Sequence, residues 1–372
     1  MQNTKVLRIK KIKLYSIIAL LPLLFYIVNL YRIAVSIDSL FYYVLYPLGF
    51  IGWMCAIRLR RELHSIILYA GLHMLTIITN YLIIGNTTIN SITLALAFLG
   101  ITFLLFSYKW SVIQGAIVYY IHLLLMAGRL LYNGGRVLLL GSNNYVSVLI
   151  IIAASLYYIA VEREKNSIRL IDLLPAVLSF ILSVWAGGRG GILSTAILMV
   201  LIVLLYIKTI TNRSLRRTIV AVLCVLLGTI VLIITNTSLY QIFMSLGKWG
   251  SRGKDNAARI GIWRAYLLKT IESPRYLLLG APFEMIPEIL RYDGNCHNSF
   301  LQLHAFNGIT MLLLFIVYSI RSFKSYISKH KYIYAILLLV IIVRGMTDKF
   351  IFGQYGMPIM VFLMLEPFVE KK

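Results

Sequence analysis

The run Cys296-His297-Asn298-Ser299-Phe300-Leu301-Gln302 closes a polar segment that begins near Asn236 and carries Lys248, Arg252, Lys254, Arg259, Arg264, Lys269, Arg275 and Arg291. A histidine can take and release a proton near neutral pH, because its unperturbed pKa is about 6.5. A planar guanidinium can grip two phosphate oxygens at once. One imidazole beside several arginines is therefore suited to removing a proton from a hydroxyl while an anionic group is held. A further arginine, Arg189, sits in Ala186-Gly187-Gly188-Arg189-Gly190-Gly191. Glycines there allow a tight turn and let a ligand approach the main chain.

These residues stand in an unusual chain. Of 372 residues, 60% are hydrophobic and 13% charged, against about 45–50% and 25% in soluble domains. Apolar runs of about 20 residues, the length that crosses a bilayer, recur from end to end. The alternating short segments of a membrane barrel are absent from the sequence. The expected class is all-α, a polytopic helical membrane protein of about twelve transmembrane helices. They fall near 14–33, 38–57, 64–84, 89–107, 110–128, 144–161, 170–187, 191–208, 218–235, 298–320, 332–346 and 352–369. Residues 1–235 then hold the first nine helices, 236–297 form one long loop with short helices, and 298–372 hold the last three. Arg344, Asp348, Lys349 and Glu366 interrupt the last two. The first apolar run follows a basic start but is too long for a signal peptide and lacks a small-residue cleavage site, so it reads as a retained helix.

Loop charge sets the expected orientation. Lys5 to Lys13, Arg58 to Arg61, Lys109, Arg163 to Arg169, Lys208 to Arg217, Arg321 to Lys331 and Lys371-Lys372 fall on one side of the membrane. The positive-inside rule makes that side cytoplasmic, with both termini, and long loops cross largely regardless of charge. The long loop then faces outward, into the periplasm. The same distribution accounts for much of the net charge of +23 and argues against a nucleic-acid partner. Cys55, Cys224 and Cys296 show no disulfide or metal spacing,, and no metal or cofactor is expected. Cys296 reads as a small packing residue.

Within the long loop, Asp255 or Asn256 is placed to cap a helix running to about Ile271,. Arg259, Trp263, Tyr266 and Thr270 would share one face of it. Arg264 lies well around the helix from Arg259, so the two do not converge on one small group. Ser273-Pro274 ends the helix,.

Arg259-Ile-Gly-Ile-Trp263, Ser273-Pro274, Leu279-Gly280 and His297-Asn298-Ser299-Phe300-Leu301-Gln302 together resemble the signature region of the O-antigen ligase and O-antigen polymerase superfamily. The pattern His-Asn, nine residues, then Gly is met by His297, Asn298 and Gly308. Met311 departs from the small residue or tyrosine usual in the family, and Gly280-Ala281-Pro282 departs from the Gly-x-Gly of many members. Arg189 among glycines is also similar to the family. The resemblance is firmest over about 185–320.

It implies a metal-independent, multi-span (GT-C-like) glycosyltransferase of the bacterial inner membrane, taking a glycan from undecaprenyl pyrophosphate at the periplasmic face. The leading expectation is a polymerase of O-antigen or capsular polysaccharide, passing the chain onto the next lipid-linked repeat unit. The alternative is an O-antigen ligase acting on lipid A–core, and a third reading is a flippase for the same lipid-linked oligosaccharide. The expected partners are that lipid-linked oligosaccharide and the bilayer, and the polymerase reading allows a chain-length regulator protein. By resemblance, Arg189 and Arg259 serve the pyrophosphate and His297 the acceptor, with Arg264, Asn298, Gly188, Gly190 and Trp263 as further substrate-binding candidates.

Plainer roles compete for the same residues. Arg189 can snorkel to lipid headgroups, Asn298 can cap the following helix, and His304 reads as packed. Asp255, Glu272, Glu284, Glu288 and Asp293 are alternative bases.

Overall fold

The computed structural model describes residues 20–35, 38–58, 63–132, 144–165, 167–211, 213–214, 216–218, 221 and 254–369, without the side chains of 31–38 and 254–258. The expected helix at 218–235, the charges of the two termini, Lys248 and Arg252 lie outside them, as do the side chains of Lys254, Asp255 and Asn256.

The described residues form helices and no strand. In order these are α1 (Leu21–Val35), α2 (Asp38–Arg58), α3 (His64–Ile83), α4 (Ile89–Ser107), α5 (Val112–Tyr132), α6 (Asn144–Glu164), a short 3-10 turn and α7 (Leu174–Ala186), α8 (Arg189–Thr209), α9 (Lys254–Ile271), α10 (Pro274–Leu279), α11 (Pro287–Leu290), α12 (Ser299–Ser328), α13 (Tyr332–Gly345) and α14 (Met357–Leu365). Seven of them, α2 to α6, α8 and α12, are long and apolar enough to cross a membrane. The final pair is shorter than a span. α13 has 14 residues and α14 nine; at 1.5 Å per residue α14 reaches only ~14 Å. Every residue of α14 is buried, so it is a core plug closed in by its neighbours. Of the interrupting charges, Asp348 and Lys349 fall in the non-helical connection between α13 and α14, Arg344 lies in the last turn of α13, and Glu366 opens the 3-10 turn after α14.

α6 is the axis of the bundle, buried at every position from Val146 to Glu162. Where lipid replaces water, helices gain little from burying apolar surface against one another and associate through close van der Waals packing at small residues. α2 and α4 show this. A Cβ on Gly52 would lie 1.8 Å from the Gly100 carbonyl oxygen, and one on Gly100 2.1 Å from that of Gly49, so these backbones touch only as glycine.

The segment from α9 to Cys296 has its own small core. Ile262, Tyr266, Phe283, Ile286, Ile289 and Cys296 cluster around Ala305 of α12. The face of α9 expected to carry Arg259, Trp263, Tyr266 and Thr270 turns inward: Tyr266 is fully buried, Thr270 nearly so, and Trp263 and Arg259 are half-buried. Ser273 ends the helix as expected and its hydroxyl caps α10, accepting from the Arg275 amide at 3.2 Å.

α12 is broken rather than continuous. Gly308 has φ 72° and ψ −176°, and a Cβ there would meet the Leu278 carbonyl oxygen at 2.0 Å. Glycine is required because the conformation is left-handed and the α10 backbone presses against it. A break in a helix leaves main-chain carbonyls short of partners. The Asn80 and Asn86 amides donate to the Ala305 carbonyl at 2.8 and 2.9 Å, and also to those of Leu279 and Ala281. Asn80 in the last turn of α3 and Asn86 in the connection after it thus fasten the break and the incoming loop together.

Candidate functional site

His297 immediately precedes α12. Its backbone is left-handed, φ 48°, a region most side chains avoid. The Asn295 side chain accepts from its amide at 2.8 Å, and on its other side Asn298 caps α12, accepting from the amides of Phe300 and Leu301 at 2.9 and 3.2 Å. Asn298 is therefore the expected cap, and its amide also reaches the Met346 carbonyl at 3.3 Å. Left-handed φ does not by itself mark function, since His330 adopts it in a helix-terminal turn.

The connection after α13 lies alongside. The Ser299 hydroxyl donates to the Asp348 carbonyl at 2.7 Å and accepts from the Phe350 amide at 3.1 Å. This brings the Asp348 carboxylate to His297, with Nδ1 to Oδ1 at 3.9 Å. That exceeds hydrogen-bond reach, so at this separation the carboxylate acts through its field. Its other oxygen lies 3.5 Å from the Arg344 guanidinium. Arg344 is 1% exposed and donates to the Thr347 hydroxyl at 2.8 Å and the Asn144 carbonyl at 3.0 Å. Tyr292 packs edge-on against the imidazole, with ring centroids 5.3 Å apart.

This chain of contacts reaches the arginine turn. A Cβ on Gly190 would lie 2.3 Å from the Thr347 hydroxyl, one on Gly191 2.1 Å from that of Ser147, and one on Gly188 2.8 Å from the Asn144 side chain. Gly188 and Gly190 therefore let the start of α8 settle on the same residues that hold Arg344. Arg189, the first residue of α8, is exposed there. The positive end of the helix dipole lies beside it, which favours an anion.

α9 joins from the other side. The Trp263 indole donates to the Cys296 carbonyl at 2.9 Å, one residue from His297. Arg259, one turn earlier on that face, is half-buried, whereas Arg264 is exposed. The structure therefore places His297, Asn298, Trp263 and the Gly188–Gly190 turn in one linked assembly, with Arg259 on the face turned toward it and Arg264 off that face. Cys296 is fully buried, and burial pushes its thiol up to about 12. His304 is packed as expected: its Nε2 meets the Leu277 carbonyl at 2.8 Å and its Nδ1 the Tyr266 hydroxyl at 2.6 Å.

Asp348 and Arg344 were not among the candidate residues. Their signal was the run of charges breaking an apolar segment, which is expensive inside a membrane and tends to mark function. Among the described residues, no group of three His, Cys, Asp or Glu side chains is placed to hold a metal ion. No protein-family model matches the chain, and neither the curated proteins nor the solved structures give a significant match.

Proposed function

We propose that this protein is a glycosyltransferase that polymerises lipid-linked saccharide units at the outer face of a membrane. The observation that supports the reading is the buried Asp348–Arg344 pair beside His297, with the glycine-flanked Arg189 turn packed on Asn144 and Thr347, the residues that hold Arg344. In the proposed step an acceptor hydroxyl attacks the anomeric carbon of the donor and its proton passes to His297. The bond from that carbon to the pyrophosphate oxygen breaks, and the undecaprenyl pyrophosphate leaves as an anion. Arg189 and Arg259 supply fixed positive charge where that anion develops. Asp348 favours the imidazolium that forms, and Arg344 holds the carboxylate in place.

The test is elongation of a purified undecaprenyl-pyrophosphate-linked repeat unit by the full chain in detergent, followed by mass spectrometry. Longer products are expected with the native protein. His297→Ala should lower the rate by about 10²–10⁴-fold, the usual contribution of a positioned base, with the protein still inserted and folded. Normal elongation by that variant would remove the base role. Product formed only when lipid A–core is added would make the enzyme a ligase.

A further inference from the structure

A second feature of the same end takes no part in the step above. Between α3, α4, α12 and the connection following Asp348 lies a cavity of about 230 Å³. Lys349, Asp293, His73 and Asn307 line it, with the rings of Phe283 and Phe306 on its wall, 5.9 Å apart. Two of its features are open to a ligand. Among the described residues the Lys349 ammonium makes no hydrogen bond or ion pair, although burial pulls it below the ordinary lysine value. Asn307 uses its amide nitrogen on the His73 carbonyl and the Thr76 hydroxyl, which leaves its carbonyl oxygen to accept. Buried polar groups without partners are costly, so a ligand with matching groups is favoured.

Size and charge narrow that ligand. Pockets for drug-sized molecules run to about 300–1,000 Å³, so this cavity suits a single ring. One cation faced by one carboxylate, with neutral amide and imidazole groups between, is poorly matched to a phosphate. It is well matched to a neutral ring whose hydroxyls both donate and accept, and the phenylalanine faces can cover its C–H side. The wall is built from residues on both sides of His297 in the chain and from the residue directly after Asp348.

We infer that this cavity is a saccharide subsite that seats one sugar ring of the acceptor, so that a neighbouring hydroxyl is presented to His297. The acceptor role rests on the glycosyltransferase reading; the sugar-binding role does not.

The full chain in detergent is tested by saturation-transfer NMR with the methyl glycosides of glucose, galactose, rhamnose and N-acetylglucosamine, and with inorganic pyrophosphate. At least one glycoside should bind. Lys349→Met and Ser91→Trp, the second filling the cavity from its α4 wall, should each weaken it by about tenfold or more. Asp293→Asn, at an exposed position, guards against misfolding and should weaken it too. His297→Ala and Arg189→Ala should leave glycoside binding intact. In the elongation assay the cavity variants should raise the KM for acceptor with little change in kcat. Binding of pyrophosphate but of no glycoside, or glycoside binding indifferent to all three cavity variants, overturns the subsite while leaving the glycosyltransferase reading standing. Glycoside binding with these sensitivities, in a protein that elongates nothing, keeps the subsite and removes the glycosyltransferase reading.

Discussion

At the end of the bundle away from His297, the half-buried charges are matched to one another or to helix ends. Lys165 meets Asp172 at 3.4 Å and Lys331 meets Glu366 at 2.7 Å. Arg163 donates to the carbonyls of Leu105 and Tyr108 and lies between the rings of Trp110 and Phe362. Glu164 accepts from the Val112 amide at 2.7 Å. At the His297 end one buried pair, Arg344 with Asp348, is also matched. Around it, however, Arg189 and Arg259 make no hydrogen bond or ion pair among the described residues. Charge at the first end closes the structure; at the second, Arg189 is exposed and Arg259 half-buried, open to a ligand. Positive charge left unpaired there favours an anionic ligand, most of all where water is partly excluded.

That contrast can be broken at either end. The largest effect is expected from Arg344→Met, which leaves Asp348 buried without its cation and should cost about 3–5 kcal/mol, read as a lowered thermal unfolding midpoint in detergent. Lys331→Met at the other end, where the lysine keeps 24% of its side chain exposed, should cost less, about 1–3 kcal/mol. Equal losses would erase the difference between the ends. The double variant Arg344→Met with Asp348→Leu should recover most of the stability while activity stays low.

Next in size, Arg259→Ala should lower kcat/KM for elongation by about 10²-fold, as for loss of one fixed donor to developing charge. Arg264→Ala, on the exposed side of α9, should change it by no more than about threefold. A reversed order would move the anion site to the outer face of that helix. Asp348→Asn keeps shape and removes charge, so it should slow elongation by about tenfold, in the range seen for groups that orient a functional imidazole, with folding retained. The smallest effect concerns Cys296. With its thiol held at about 12 by burial, against about 8.5 for a free cysteine, it should resist maleimide at pH 8 in a chain carrying Cys55→Ser and Cys224→Ser. Labelling should appear only on unfolding. The linked stability is complete below about pH 8.5 and falls as pH rises toward 12, because the unfolded thiol then loses its proton first.

Much of this architecture was legible because a bilayer imposes length and composition on each helix separately. The helices long and apolar enough to cross a membrane at α2 to α6 and at α8 follow from apolar runs alone. The buried face of α9, from Arg259 through Trp263 and Tyr266 to Thr270, follows from helical spacing, and the capping role of Asn298 from its place before an apolar run. The pairing of His297 with Asp348 was not legible. It joins residues about fifty positions apart through a non-helical connection, and no periodicity announces such a contact. Asn80 and Asn86 carry no signal for the same reason, since their partners are the carbonyls of Leu279, Ala281 and Ala305, 195 to 225 residues later in the chain. The span expected at 352–369 is observed as the nine-residue, fully buried α14, because hydropathy does not show where an apolar run leaves the helix.

The break at Gly308 has a mechanical consequence. The first turns of α12, from Ser299 to Asn307, are tied to α3 through Asn80 and Asn307, while the long remainder of α12 runs on through the apolar bundle. A rigid rod would carry every tilt of its inner part straight to its tip. A jointed one can bend at the glycine, so the turns that follow His297 can stay fastened to α3 while the longer piece of the helix tilts.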